Sequence, residues 1–247
     1  MSDILIAIFQ YSIDIGELPS QWKLANVVPI FKAGKRTSPS NYRPVSLTCI
    51  PCKLVEHIAL HELNKLLDGK ISSNQRGFRR GLPCTTQLVG LLHEISREVE
   101  RGKCIQAAFL DFSKAFDRVS HGLLLQKLYN NLDIPVGLLK WIKSFLTGRK
   151  QRVLLKGTVS EEKRVTSGVP QGSVLGPTLF LTYINDIVDS ISCNTKLFAD
   201  DLLVFQVLEN DDFVASFQRD LDNLQAWASK WEMKFNVSKC NAMVFEK

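Results

Sequence analysis

The sequence lacks the features that would place it in or across a membrane. It contains no uncharged apolar run of about 18 residues, the length that a membrane-spanning helix needs. Its start, Met1-Ser2-Asp3-Ile4, lacks the basic segment and the apolar run of a secretory signal. The six cysteines follow no regular framework, which fits a reducing compartment. We therefore expect an intracellular protein without membrane association.

A zinc site is also not expected, although one group of residues has suitable side chains. Cys49, Cys52, His57 and His61 lie close together in the sequence. The gap from cysteine to histidine is far shorter than in zinc fingers, and residues 53–61 have the pattern of a helix with its own apolar stripe. We interpret His57 and His61 as part of that helix.

The composition is that of a globular protein with a moderate excess of positive charge. The chain has 247 residues, of which 45% are hydrophobic and 23% are charged, enough for one large domain or two subdomains. Lysine and arginine total 31 against 25 aspartates and glutamates, a net charge of +6. This excess favours polyanionic partners, but many basic proteins bind no nucleic acid.

Apolar periodicity predicts helices and strands that alternate along the chain, which indicates a layered α/β or α+β domain. The predicted helices cover residues 4–15, 53–67, 85–100 and 121–131, a further segment between Pro135 and Gly148, a helix that runs from the 168–177 loop to about residue 191, and a segment around residues 213–231. The predicted strands are 25–31, 104–110, 152–155, 163–165 (paired with the preceding strand around Gly157) and 242–245.

Two adjacent acids, Asp200 and Asp201, interrupt the apolar run 197–205. The run predicts two short strands folded back on each other with the acids at the bend. Tight hairpins favour glycine at the bend, and this one has none. Two neighbouring carboxylates repel each other unless a cation compensates, so the pair favours a divalent metal site. An ordinary acidic turn has the same pattern.

A third acid, Asp111, follows the apolar strand 104–110. A carboxylate at the exit of a buried strand is costly unless it is paired or binds a metal. If this strand and the acidic hairpin are neighbours, three carboxylates converge and could hold two Mg²⁺ ions about 4 Å apart, the arrangement used in nucleotidyl transfer. Spacing along the chain does not establish that the strands are neighbours.

Several loops have the composition of phosphate or nucleic-acid contacts. Residues 32–40 form a basic loop, which is either a solvated loop or a mobile arm that meets phosphates. Arg43 lies before a proline, which favours extended backbone. Residues 74–81 place Phe78 among arginines, which is typical of a single-strand nucleic-acid surface and equally of a charged turn that covers an aromatic ring. Residues 168–177 form a loop rich in glycine and proline in which backbone could approach a ligand closely.

These motifs, in this order, resemble those of the reverse transcriptase of a non-long-terminal-repeat (LINE-type) retrotransposon of the jockey-like kind. The resemblance extends over nearly the whole chain, to Lys239. It rests on NYRPVSL at 41–47, GFR at 77–79, LDFSKAFD at 110–117, GVPQGSVLGP at 168–177 and FADD at 198–201.

The resemblance implies an α+β fold, the fingers and palm of a right-hand polymerase, with helices packed on an antiparallel palm sheet. We expect a fingers-rich region with an N-terminal extension at 1–104 and the palm at 105–247, without the thumb and endonuclease domains. Two Mg²⁺ ions, or Mn²⁺ in their place, would be held by Asp111, Asp200, Asp201 and the main-chain carbonyl of Phe112.

The resemblance also implies contacts to the incoming nucleotide. Lys32 and Arg43 would reach its triphosphate, and Gln171 and Gly172 would lie beneath the nucleotide and template. Phe116 matches the family's gate position, where an aromatic ring would clash with a ribose 2′-hydroxyl, so we expect deoxynucleotide use. Lys239 matches a lysine suggested to protonate departing pyrophosphate, and a surface lysine is the alternative.

Arg76, Phe78 and Arg79 match template-side positions, although the family usually has an aromatic residue where Arg76 stands. The expected partners are an RNA template, a DNA primer and deoxynucleoside triphosphates, and the expected compartments are the cytoplasm and nucleus. A missing thumb predicts low processivity.

Two other functions are considered. The alternative function is a catalytically weak or inactive remnant that binds nucleic acid. A group II intron-type maturase shares the acids, but the sequences FADD and LDFSKAFD disfavour it.

Overall fold

The computed structural model describes residues 2–208 and 211–247. The chain folds into two compact units, and each unit is formed by two separate segments of the sequence. Unit 1 contains residues 1–70 and 119–182, and unit 2 contains residues 71–118 and 183–247. Among the helices formed by the described residues, none has both the length and the apolar character needed to cross a bilayer.

Unit 1 combines a small mixed sheet with a group of helices. Its strands are β1 (Leu24–Phe31), β2 (Tyr42–Leu47), β4 (Lys150–Leu155), β5 (Thr158–Val159) and β6 (Lys163–Arg164), and its helices are α1 (Ser2–Ile15), α2 (Ile50–Leu67), α5 (His121–Asn130) and α6 (Val136–Leu146). Strand β1 pairs antiparallel with β2 and parallel with β4. Helix α6 follows Pro135 and buries Trp141, Ile142, Phe145 and Leu146 on one face, as helical spacing predicts.

Unit 2 is built on a four-stranded antiparallel sheet in the order β7-β8-β3-β9. Its strands are β3 (Cys104–Asp111), β7 (Asn194–Phe198), β8 (Asp201–Leu208) and β9 (Asn241–Phe245), and its helices are α3 (Cys84–Glu100), α4 (Ala115–Arg118) and α8 (Asp211–Lys230). Helix α7 (Gly176–Ile184) runs from the segment of unit 1 into that of unit 2 and continues as a 3-10 helix, Asn185–Ser190.

The apolar run of β8 is explained by cover on both faces of the sheet. Leu203 and Phe205 join a core cluster with α3 and β3. Leu202 and Val204 point to the opposite face because strand side chains alternate, and they are also buried. Helix α8 contacts β8. A strand covered on both faces carries a continuous apolar run rather than an alternating one.

The prediction of an α+β fold with helices packed on an antiparallel sheet is confirmed. Some local predictions were wrong in detail. The hairpin around Gly157 joins β4 to β5, whereas β6 pairs with the beginning of β4. Helix α7 ends at Ile184, seven residues earlier than predicted, because the chain tightens into the 3-10 helix. The division into fingers at 1–104 and palm at 105–247 stays a prediction.

Candidate active site

The central strands of unit 2 bring two of the predicted acids face to face. Strands β3 and β8 pair antiparallel along their whole length, and the last pair of the ladder is Asp111 opposite Asp201. Directly opposed residues of an antiparallel pair have Cα atoms about 4.5 to 5.5 Å apart. The strand that carries the first acid is therefore the neighbour of the strand that carries the second, although 89 positions of sequence lie between them.

Asp200 lies in the tight turn that precedes β8. Phe198 pairs with Asp201, so Ala199 and Asp200 form a two-residue turn between β7 and β8. The φ of Ala199 is 55°. This left-handed conformation costs a residue with a Cβ atom about 1 to 2 kcal/mol, which is why such turns normally use glycine here. The turn is held in a strained conformation at the point where it presents an acid.

Lys239 is affected by the negative charges of all three acids. Its Nζ donates a hydrogen bond to Oδ2 of Asp111 at 2.8 Å, although its side chain remains about half exposed. The pKa of Lys239 is raised, first by this hydrogen bond and then by the charges of Asp111, Asp200 and Asp201, against an opposing effect of desolvation. All three carboxylates therefore act on one ammonium group.

The backbone on both sides of Phe112 is fixed by the segment before Lys239. The amide of Asn236 donates to the carbonyl of Asp111, and the amide of Ser113 donates to the carbonyl of Lys234, both at 2.7 Å. The buried ring of Phe112 stacks on Phe235 with ring centroids 4.7 Å apart. These contacts hold the end of β3 and set the position of the Phe112 main chain beside Asp111.

The three acids supply the oxygen ligands that Mg²⁺ and Mn²⁺ prefer. Within the described ranges 2–208 and 211–247, however, no group of three or more His, Cys, Asp or Glu side chains is arranged so that it could hold a metal ion. The Asp111 carboxylate is instead paired with the Lys239 ammonium, a cation in contact with the expected donor set. The donors fit divalent cations by their chemistry, and a bound cation would compete with Lys239 for Asp111.

Phe116, the predicted gate residue, packs against another aromatic side chain. It lies in the short helix α4, and its ring meets that of Phe78 edge to face, with centroids 6.0 Å apart. Phe78 is 57% exposed and has a φ of 56°. Phe78 therefore supports the ring of Phe116 from the side.

The predicted template residues Arg76 and Arg79 make contacts within unit 2. The amide of Arg76 donates to the carbonyl of Leu197 in β7 at 3.0 Å, and its Nη1 is 3.5 Å from Oγ1 of Thr86. Nη1 of Arg79 donates to the carbonyls of Ser72 and Gln75, each at 3.1 Å. These bonds tie the loop to itself and to β7, and its contact with a template stays a prediction.

The predicted nucleotide contacts Lys32, Arg43, Gln171 and Gly172 belong to unit 1. Lys32 and Arg43 are exposed at the β1–β2 hairpin, where the amide of Lys32 donates to the carbonyl of Asn41 at 2.9 Å. Arg43 lies in β2, in the extended backbone that its position before proline predicts.

The loop that carries Gln171 is docked on β2. The carbonyl of Gln171 accepts a hydrogen bond from the amide of Ser46 at 2.7 Å. Gly172 has a φ of 98°, and a Cβ atom there would lie 2.9 Å from the carbonyl oxygen of Ser46. Only glycine allows both this backbone conformation and this close approach. Gln171 is thereby fixed on the strand that carries Arg43.

Glu56 anchors the other end of that loop, and sequence reasoning missed it. This fully buried carboxylate accepts hydrogen bonds at Oε2 from the amides of Val174, at 2.7 Å, and Leu175, at 3.1 Å, directly before α7. An acceptor at the beginning of a helix satisfies amides that have no partner within it. The spacing of α2 predicts only an apolar stripe, so no local signal marked this residue.

Comparison with known proteins agrees with the site. Residues 30–246 match the family described as Reverse transcriptase (RNA-dependent DNA polymerase). The chain belongs to the reverse transcriptase family. This match and the relatives below confirm the resemblance to a jockey-like, LINE-type element.

Curated reverse transcriptase relatives come from mobile elements of Drosophila melanogaster. The chain is 34% identical to the RNA-directed DNA polymerase from mobile element jockey, with 98% of this chain and 27% of the relative covered. It is 33% identical to the probable RNA-directed DNA polymerase from transposon X-element, with 96% and 27% covered. The chain thus spans about a quarter of the length of these relatives.

Solved structures with the same fold include telomerase from Candida tropicalis. One, an apo form truncated from the C-terminal domain, aligns with a TM-score of 0.61 at 12% identity, covering 97% of this chain and 54% of that one. Another, in complex with a fragment of telomeric RNA, aligns with a TM-score of 0.63 at 12% identity, covering 99% and 44%. This likeness supports the right-hand polymerase fold of fingers and palm.

Proposed function

We propose that this chain is the polymerase region of an RNA-directed DNA polymerase from a LINE-type retrotransposon. It extends a DNA primer with deoxynucleotides along an RNA template by nucleotidyl transfer. The observation that carries the proposal is the meeting of Asp111 and Asp201 at the end of β3 and β8, with Asp200 in the adjoining turn, in a member of the reverse transcriptase family.

Two Mg²⁺ ions, which Mn²⁺ can replace, are held by Asp111, Asp200, Asp201 and the carbonyl of Phe112. Members of the family generally use divalent metal ions. When bound, the ions supply activation of the primer hydroxyl and neutralisation of charge on the leaving pyrophosphate. The protein's part is to hold four oxygen donors on two paired strands and the residues directly adjoining them, Phe112 after β3 and Asp200 before β8.

Lys32 and Arg43 bind the triphosphate, and Gln171 and Gly172 lie under the nucleotide and template. The two cations are exposed at the β1–β2 hairpin, where phosphate oxygens can reach them. Docking of the 168–177 loop on β2 supports this assignment, because it fixes Gln171 on the strand that carries Arg43. The absence of a side chain at Gly172 is what lets the loop lie against the carbonyl of Ser46 in β2.

Phe116 excludes ribonucleotides and Lys239 protonates the departing pyrophosphate. The ring of Phe116 would occupy the space of a 2′-hydroxyl and offers it no hydrogen bond. The hydrogen bond to Asp111 raises the pKa of Lys239, so the ammonium gives up its proton to an anionic leaving group more readily once it is released from Asp111.

The RNA template lies along Arg76, Phe78 and Arg79. The protein acts in the cytoplasm and nucleus, where element RNA and target DNA are found. The telomerase structure in complex with an RNA fragment supports nucleic acid as the partner class. The net charge of +6 supports a polyanionic partner. Fingers at 1–104 and palm at 105–247 remain our proposed division.

Primer extension tests the proposed activity. The chain, its Asp200→Asn variant and the control Asp222→Asn, which changes an exposed acid of α8, are incubated with primed RNA, deoxynucleotides and Mg²⁺. We expect incorporation by the chain and by Asp222→Asn, and its loss in Asp200→Asn. Equal incorporation by all three proteins would defeat the proposal.

A second candidate function is a nucleic-acid-binding remnant without catalysis. The observation that favours it is the ion pair between Lys239 and Asp111, 2.8 Å apart, because it occupies one of the expected metal donors. RNA binding by the chain without any incorporation would support this alternative.

A further inference from the structure

The segment before Phe78 forms an isolated β-bridge with β7 of the acidic hairpin. Gln75 pairs in parallel with Leu197 of β7. The amide of Leu197 donates to the carbonyl of Asn74 at 2.9 Å, and the amide of Arg76 donates to the carbonyl of Leu197 at 3.0 Å. This bridge pairs the backbone of Leu197 at the edge of β7 and places Gln75 next to the turn that carries Asp200.

The side chain of Gln75 binds both polar groups of Ala199. It is 2% exposed, its Oε1 accepts from the amide of Ala199 at 2.9 Å, and its Nε2 donates to the carbonyl of Ala199 at 3.2 Å. Oε1 also accepts from the amide of Gly77 at 2.8 Å. A side-chain amide carries both an acceptor and donors, so it can satisfy a peptide unit in the way that another strand would.

The approach of this segment to the turn leaves no room for a side chain at position 77. A Cβ atom on Gly77 would lie 2.1 Å from the backbone nitrogen of Ala199. The turn itself has Ala199 in the left-handed region, a conformation that persists in a non-glycine residue only when its surroundings determine it. Gln75 supplies two of the bonds that do so, one to the amide and one to the carbonyl of Ala199.

We propose that Gln75 is a positioning residue for the active site: it fixes the backbone of the Ala199–Asp200 turn and thereby the direction of the acidic side chains that hold the metal ions. The inference rests on the proposed role of Asp200 and Asp201. The basic loop 74–81 then has a second role besides template contact, which is to hold Gln75 in place, because Arg79 donates a hydrogen bond to the carbonyl of Gln75.

Gln87 provides a matched control within the same unit. It is also a buried glutamine beside β7, and its Nε2 donates to the carbonyl of Leu197 at 3.3 Å. That bond reaches the strand two residues before Ala199. Replacing either glutamine by methionine removes a buried amide of similar size, but only Gln75→Met removes bonds to the turn.

The test compares Gln75→Met, Gln75→Glu and Gln87→Met with the unchanged chain by two readouts. The first is hydrogen–deuterium exchange at the amides of Ala199 and Asp200, and the second is Mn²⁺ binding followed by electron paramagnetic resonance. For Gln75→Met we expect about tenfold faster exchange at the turn and Mn²⁺ binding weakened by about 10- to 100-fold, the range for residues that orient metal ligands. Gln75→Glu keeps the acceptor oxygen, so its exchange rate and its Mn²⁺ affinity should lie between those of Gln75→Met and those of the unchanged chain.

Gln87→Met should lower the thermal unfolding temperature while both readouts stay within about twofold of the unchanged chain, the scale expected away from the ligands. Equal changes in the two methionine variants, or unchanged exchange in Gln75→Met, would overturn the inference. If Gln75→Met does not fold, Gln75→Glu decides by the same criteria. Neither readout needs polymerisation, so failure of primer extension by the unchanged chain would count against the proposed function alone.

Discussion

Nζ of Lys239 lies 2.8 Å from Oδ2 of Asp111, although the two residues are 128 positions apart in the sequence. The pair joins the residues just before β9 to the end of β3. The ammonium of Lys239 therefore contacts one of the carboxylates that are expected to bind metal ions. Lys239 therefore has two separable properties, its positive charge beside the acids and its transferable proton.

Substitution of Lys239 separates these properties. Lys239→Arg keeps the charge and the ability to pair with Asp111, but guanidinium does not release its proton. If Lys239 is the general acid, both Lys239→Arg and Lys239→Gln should lower the maximal rate of incorporation by about 10²- to 10⁴-fold, the usual contribution of such a group. Single-turnover incorporation at saturating nucleotide measures this rate. Restoration of the rate by arginine would contradict the acid role and leave only the charge.

Truncation of Phe116 should relax sugar discrimination. Phe116→Ala removes the ring that would clash with a 2′-hydroxyl, so we expect ribonucleotide incorporation relative to deoxynucleotide incorporation to rise by roughly 10- to 200-fold, the scale of small steric differences in a pocket. Competition assays with ribonucleotides and deoxynucleotides measure the ratio. No change would remove Phe116 from this role.

Phe78→Ala should relax the same discrimination to a smaller extent. The edge-to-face contact between Phe78 and Phe116 is of the kind worth about 0.5 to 1.5 kcal/mol, so its loss lets the Phe116 ring move without removing it. We expect a change of about 2- to 10-fold in the ratio, from the same energy range. A ratio as high as that of Phe116→Ala would mean that Phe78 itself excludes the hydroxyl.

Loss of Glu56 should destabilise the protein through the loop that carries Gln171. Glu56→Ala leaves the amides of Val174 and Leu175 without their acceptor, and each unsatisfied buried donor costs about 1 to 3 kcal/mol. We expect a loss of about 2 to 6 kcal/mol in the free energy of unfolding, measured with urea. Glu56→Gln keeps an acceptor oxygen and should lose less. Equal losses would contradict the assignment of these two bonds.

Acidification should weaken folding through His121. Nε2 of His121 is 2.8 Å from the carbonyl of Gly168, and burial lowers the pKa of the imidazole below 6.5 while this bond opposes the shift. The unfolded chain therefore binds more protons than the folded chain once the pH falls below about 6.5, so stability is lost as the pH falls toward the folded-state pKa.

Urea unfolding at pH 7.5 and pH 5 measures this loss. We expect a smaller loss in His121→Gln than in the unchanged chain, and an unchanged loss in the control His61→Gln, which alters an exposed histidine of α2. Identical losses in the His121 variant and the unchanged chain would show that another group is responsible.

The elements of the fold could be predicted because their signals are local. Helical spacing predicts α6, and the apolar run around Asp200 predicts a hairpin. The spacing of residues could not show that β3 and β8 are adjacent in the sheet. The pairing of Asp111 with Asp201 depends on the register of two strands that are distant in sequence. Family resemblance supplied that expectation.

The supporting residues were missed for the same reason. Gln75 binds a residue 124 positions away, and Glu56 binds amides 118 and 119 positions away. Neither residue is unusual in its own segment, where one belongs to a basic loop and the other to a helix. Only the folded chain shows that each satisfies backbone groups beside a predicted site residue.

The most direct test of the central claim, that Asp111, Asp200 and Asp201 together hold divalent cations, is Mn²⁺ binding followed by electron paramagnetic resonance. The account predicts saturable binding to the unchanged chain and to Asp222→Asn, and binding weakened by at least about tenfold in Asp111→Asn, Asp200→Asn and Asp201→Asn. Mn²⁺ affinity that is the same in all five proteins would contradict it.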